Sequence, residues 1–138
     1  MWKVRIEGIV EGSFLAVKGL ESTTEVQETA DGSNLLVRKR PGRCGYANLV
    51  LRRNLGSGDE LWNWYRTTVE GRVRRREGDI VLLGGKGAEI VRLRFAGAWP
   101  CRWRSYTPHS AGRAAMIEEI ELVVEHLERV SSRSRATG

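Results

Sequence analysis

No apolar run in these 138 residues approaches the roughly 20 that a membrane-spanning helix requires. The opening stretch, Met1-Trp2-Lys3-Val4-Arg5, alternates apolar and basic side chains and lacks the apolar core of a secretory signal. Synthesis in the cytoplasm is therefore expected. Cysteine is scarce too. Cys44 and Cys101 stand apart, with no histidine or further cysteine near either, so they make a poor metal site. They read as reduced thiols, Cys101 buried on a strand face and Cys44 in a turn. The two histidines, His109 and His126, lack a serine, cysteine or metal-ligand companion at a recognisable spacing. Glu118, Glu119, Glu121 and Glu125 lack the glycine-centred loop of a calcium site and read as a charged face. In Gly84-Gly85-Lys86-Gly87, a glycine stands where a phosphate-binding loop needs Ser or Thr, and a strand follows instead of a helix. That segment is a hairpin turn. Nothing here supports an enzyme, a metal or a cofactor.

What the chain does contain suits one domain, residues 1–130, large enough to bury a core without disulfides. Residues 131–138 form a Ser/Arg tail with nothing to bury, and are expected to be disordered. There are 23 Lys plus Arg against 17 Asp plus Glu, a formal net charge of +6. Two basic clusters stand out: Arg38, Lys39, Arg40 and Arg43, then Arg72, Arg74, Arg75 and Arg76. With five tryptophans, a nucleic-acid surface of arginines and stacking aromatics is one reading. However, Trp64, Trp99 and Trp103 fall on apolar faces, and the better reading has arginines pairing with glutamates across strands or subunits.

The stretch from Leu49 to Gly71 organises the rest: a strand running into a capped helix. Ser57 and Glu60 have capping-box spacing, with Asp59 adding negative charge to the first turn. Leu61, Trp64, Tyr65 and Thr68 fall at helical spacing and predict the buried face, with Trp62 off it. Gly71 stands where a helix ends on a positive φ. Elsewhere the chain reads as short strands broken by glycine. Trp2, Val4 and Ile6 alternate with Lys3, Arg5 and Glu7. Gly8 to Gly12 turns, and Ser13 to Lys18 returns. Thr24 to Thr29 is an edge candidate, Ile80 to Leu83 a buried strand, and Ile90 to Phe95 an alternating one. Ala96-Gly97-Ala98 marks a bend or bulge before Trp99 to Trp103.

Two segments stay open on pattern alone. From Ala115 to Val130, helical spacing of Ile117, Ile120, Val124, Leu127 and Val130 slightly outweighs strand alternation. Between the polar turn Ala30 to Asn34 and the first basic cluster lie Leu35, Leu36 and Val37. They are too apolar for a free loop and too short for a core strand. Either they fold back on the same chain, or they meet another molecule.

The ordered series Gly19-Leu20-Glu21, Val37 to Arg43, Leu49 to Arg53 and Asp59 to Trp64 resembles the tail tube proteins of contractile phages and related injection particles. The resemblance continues through Gly71-Arg72-Val73, Ile80 to Leu83, Ala98 to Trp103 and Ile117 to Val130. It implies a mainly β, barrel- or sandwich-like subunit with one helix on its side, and a long strand at Ala115 to Val130. It further implies a structural protein of the bacterial cytoplasm that enters a phage tail or injection particle. Six copies would form a ring, and rings would stack into a tube that passes DNA or an effector. Sheath and baseplate proteins would be its partners. Leu35, Leu36, Val37, Arg38, Lys39 and Arg40, on the loop from Thr29 to Arg43, would reach the adjoining ring. A baseplate tube initiator of the same fold is the nearest alternative, and a small basic nucleic-acid-binding module the alternative of another class.

Overall fold

The computed structural model describes residues 1–30, 32, 36–56, 58–108 and 116–131. Alternation places Val4 and Ile6 inward on β1 (Trp2–Ile6), which pairs antiparallel with β2 (Val10–Phe14). The expected single strand from Ser13 to Lys18 is interrupted at Leu15, and β3 (Ala16–Lys18) follows on the far side of the core. β4 (Ser22–Ala30) and β5 (Val37–Tyr46) form a two-stranded sheet of their own. β6 (Leu49–Asn54) leads into α1 (Glu60–Val69); β7 (Arg76–Leu83), β8 (Glu89–Tyr106), β9 (Ile117–Val123) and β10 (His126–Val130) complete the chain. The main sheet runs β2-β1-β7-β8-β9-β6-β3, with β10 beside β8.

β8 is one 18-residue strand where two shorter ones were expected. Its first half lies between β7 and β10, and its second half pairs with β9. β9 and β10 run along the same edge of β8 in nearly one register, parted only at Val124 and Glu125. The segment that helical spacing favoured is thus an extended chain, as the family resemblance implied. Gly97 (φ +63°) sits at the bend of β8, where an added Cβ would overlap Glu125. Because β2 and β3 are separated by Leu15 alone, the ends of the sheet come together; Leu15 N–H donates to Arg52 O at 2.8 Å. The curled sheet encloses Val4, Ile6, Leu51, Ile80, Phe95 and Ile120.

The helix adds Leu61 (0% exposed) and Trp64 (2%) to this core. Trp64 Nε1–H also donates to Arg74 O at 2.8 Å. Tyr65 is only half-buried, at the rim beside Trp62, with ring centroids 6.0 Å apart. The N-cap is Asp59, without a side-chain bond; Ser57 of the expected capping box lies outside the described residues. Glu60 is already the first helical residue and turns to Arg53 instead (3.2 Å). At the other end Gly71 (φ +76°) donates to Thr68 O and Arg72 to Thr67 O, a Schellman closure that a Cβ would strain.

A bulge between Pro100 and Arg102 shifts the alternation of β8. Trp103 faces inward beside Ile120, while Trp99 lies opposite Val123 on the outer face, half-buried. The expectation that both tryptophans share the core face is corrected by that one extra residue. Cys101 sits in the bulge, half-buried, and burial together with Glu121 pushes its thiol pKa up. Cys44 is exposed on β5, not in a turn.

Arginines do pair with carboxylates across strands. Asp79, its side chain 7% exposed, accepts from Arg5 Nη2 (2.7 Å) and Arg94 Nε (3.2 Å). Glu119, 5% exposed, accepts from Arg52 (2.6 Å) and Arg104 (2.7 Å). Burial pushes each carboxyl pKa up, but the guanidinium hydrogen bonds and charges outweigh it, so both lie below the ordinary range. The stability they contribute is therefore complete above the unfolded carboxylate values, near pH 4, and is lost as pH falls through the folded ones.

Two outcomes follow from this packing. In urea titrations Trp64→Ala should cost about 3–5 kcal/mol. Trp62→Ala should cost mainly its edge contact with Trp103 (centroids 4.9 Å apart), worth about 0.5–1.5 kcal/mol. Equal losses would place the helix in another rotation. In the same assay below about pH 5, the double variant Asp79→Asn/Glu119→Gln should start less stable and show a flatter loss than wild type. An unchanged slope would mean that neither carboxylate holds a lowered pKa.

Candidate assembly surfaces

The basic run Arg38 to Arg43 does not form the expected loop. It is built into β5, opposite β4, and the pair projects as a hairpin arm that no other strand joins. Every residue of β4 is exposed. With nine and ten residues, the strands extend about 30 Å at the usual strand rise. An isolated two-stranded hairpin is marginal in water. Among the described residues, nothing covers the faces of this long ladder.

Register gives the arm two different faces. Val26, Glu28 and Ala30 share one with Pro41, Lys39 and Val37; Gln27 and Thr29 share the other with Arg40 and Arg38. The first is largely apolar, with a single Glu–Lys pair across the ladder. The second is basic and polar. Of the residues expected to meet a neighbour, Leu36 is 72% exposed and Val37 55%, so they do not fold back on their own chain. Leu35 lies outside the described residues. Among the described residues no ion pair engages Arg38, Lys39, Arg40 or Arg43, which leaves their charge for other molecules. Sequence reasoning missed Val26, exposed at 68% on the apolar face. Only the strand register reveals that it stands beside Ala30 and Val37.

The root of the arm is held to the body. Tyr46 Oη lies 3.2 Å from His126 Nδ1, with the rings edge to face, and Ala47 N–H donates to Glu21 O at 3.2 Å. Thr24 Oγ1 and Cys44 Sγ are 3.2 Å apart between the two strands. Beside this root lies the outer edge of β10, which among the described residues has a strand on one side only; the second half of β8 likewise has only β9 among them. Such edges offer unpaired backbone groups to another chain. Elsewhere among the described residues, no group of three or more His, Cys, Asp or Glu side chains is placed to hold a metal ion. Among the described residues no helix is long and apolar enough to cross a membrane.

Residues 1–128 match the family described as the T4-like virus tail tube protein gp19. No curated protein matches the chain. Among solved structures, a chain of the sheath-tube complex of an extracellular contractile injection system (PVC, extended state) superposes with a TM-score of 0.80 at 20% identity. That match covers 94% of this chain and 88% of the other. The anti-feeding prophage tube-terminating cap matches with a TM-score of 0.80 at 18% identity, over 95% of this chain and 88% of that one. Hcp1 from Flavobacterium johnsoniae shares the fold more loosely, with a TM-score of 0.62 at 14% identity over 93% of each chain. With nearly its whole length matched, this mainly β chain belongs to the T4-like tail tube protein family and is a structural subunit of a tube.

Proposed function

We propose that six copies of this subunit close into a ring and that identical rings stack into a hollow tube. One observation carries the reading: β4 and β5 form a two-stranded sheet of their own, with Val26, Leu36 and Val37 uncovered among the described residues. Such an element gains its stability from a neighbour. The open edges of β10 and of the second half of β8 supply what ring closure needs, since pairing with the next copy removes the aggregation hazard of a bare edge. Stacking is then a head-to-tail contact in which the arm of one ring lies on the body of the next. Such a contact repeats without limit, so another component sets the length.

Leu35, Leu36, Val37, Arg38, Lys39 and Arg40 are the contact residues of this reading. Burying Val26, Leu36 and Val37 would contribute on the order of 1.5–3 kcal/mol each before ordering costs, repeated around the ring. Arg38 and Arg40, on the other face, would set register against acidic groups more than add affinity. Sheath and baseplate proteins are the partners that the related particles point to, with DNA or an effector passing through the lumen. The work is mechanical, and catalysis has no part in it. The particle is a phage tail or an injection system, assembled from protein made in a bacterial cytoplasm. Residues 131–138 are read as a tail beyond the domain of residues 1–130.

Native mass spectrometry should show hexamers or their multiples, and a stable monomer at high concentration would overturn the ring. Replacing residues 25–42 with a Gly-Ser turn should leave the circular dichroism of the body intact and stop rings from stacking in electron micrographs. Long tubes from that variant would show that the arm is only a surface hairpin.

A further inference from the structure

The second basic cluster lies on the body, away from the arm, and its geometry differs from that of the first. Arg72, Arg74 and Arg76 lie two apart and line one cleft of about 540 Å³ between α1 and the β1–β2 turn. Ile9, Trp64, Asn63 and Thr67 complete most of its wall. Arg75 turns away to Glu125 (2.9 Å), and Arg72 pairs with Glu70 at the surface (3.1 Å). That leaves two guanidinium groups uncommitted. Arg74 is exposed and has no side-chain partner among the described residues, and Arg76 Nε is buried without a hydrogen bond.

A buried donor without an acceptor carries a desolvation cost that a native structure normally relieves. The Arg76 guanidinium lies against Gly8, where even a Cβ would stand 3.3 Å from Nη1. The segment that carries these arginines is held in place before any ligand arrives. Arg72 N–H donates to Thr67 O (2.7 Å), and Arg74 O accepts from Trp64 Nε1–H (2.8 Å). A backbone already fixed lowers the ordering cost of the side chains it carries, and guanidinium–carboxylate bonds are among the stronger hydrogen bonds.

We propose that this cleft docks an acidic segment of a partner protein, with an Asp or Glu carboxylate entering between Arg74 and Arg76. The chemistry of the lining selects that occupant. Ile9 and the edge of Trp64 offer an apolar wall for the stem of a side chain, and Asn63 and Thr67 offer neutral polar groups for its backbone. Nucleic acid would need a continuing basic track and exposed faces for stacking. Here Trp64 is 2% exposed and offers no face on which a base could stack.

The full chain, dispersed at low salt, is titrated into a fluorescein-labelled Asp/Glu-rich peptide and followed by anisotropy. Arg74→Glu, at an exposed position, should raise the Kd at least about tenfold. Lys86→Glu, which changes net charge equally but lies exposed in the turn between β7 and β8, should leave it within about twofold. No binding by wild type, or equal losses in the two variants, would overturn the site. Displacement of the peptide by pyrophosphate or a single-stranded oligonucleotide, with tighter binding of either than of the peptide, would reassign the cleft to phosphate chemistry. Electron micrographs of Arg74→Glu should still show rings. If the variant stays folded but forms none, the cleft is an interface between copies and the docking proposal fails, while the tube reading stands.

Discussion

A charged pair inside the core ties the parts of this fold together. On β6, Leu49, Leu51 and Arg53 all point inward, and on β9 so do Glu118, Ile120 and Leu122. Arg53 Nε meets Glu118 Oε1 at 2.8 Å, with side chains 5% and 1% exposed. Trp103 of β8 donates to Glu118 Oε2 (2.8 Å), and Arg53 Nη2 reaches Glu60 at the start of α1 (3.2 Å). The guanidinium carbon also lies 5.7 Å from the Phe14 ring centroid, on β2. Five elements thus converge on two side chains. Losing one partner of such a pair typically costs about 3–5 kcal/mol, because the other charge stays buried. Replacing both with apolar groups often costs nothing, so the pair contributes position more than stability. It holds the first turn of the helix, which has no side-chain cap of its own, against the sheet.

The outer faces follow a different logic. Asp79 and Glu119 each sit among arginines near the surface, in ladders that stiffen the sheet where water still reaches the partners. Exposed pairs contribute little singly, and networks do better. These ladders absorb much of the arginine that gives the chain its net charge of +6. Among the described residues the arm's arginines have no ion-pair partner. That division suits the proposed stacking, in which the arm meets the next ring. Rigidity comes from a curled sheet whose end strands are joined through a single residue, while the faces of the hairpin stand exposed.

The sequence determined the regular parts. Period-two alternation specified β1 and the first half of β8, because a side chain on a half-buried strand has only two faces to choose from, and the continuous apolar run Ile80 to Leu83 marked the buried part of β7. Helical spacing and Gly71 placed α1 and its end, since glycine alone adopts that closure without strain. The ordered motifs carried the family, and with it the extended form of Ile117 to Val130, where periodicity by itself favoured a helix. Leu36 and Val37 were marked as candidate contacts by their apolar character beside a basic run.

Only the tertiary structure decided the rest. A bulge moves one residue, and that is enough to put Trp99 outside while Trp103 stays in; no pattern in the sequence announces it. Glu118 reads as one glutamate of a charged face until the register sets it opposite Arg53 inside the core. The two faces of the arm depend on which β5 residue stands across from which β4 residue. The Arg72–Arg74–Arg76 cleft exists because the helix closure and the Trp64 bond hold that segment beside the β1–β2 turn. In each case the deciding quantity is a contact between residues far apart in the chain, and local preferences do not encode such contacts.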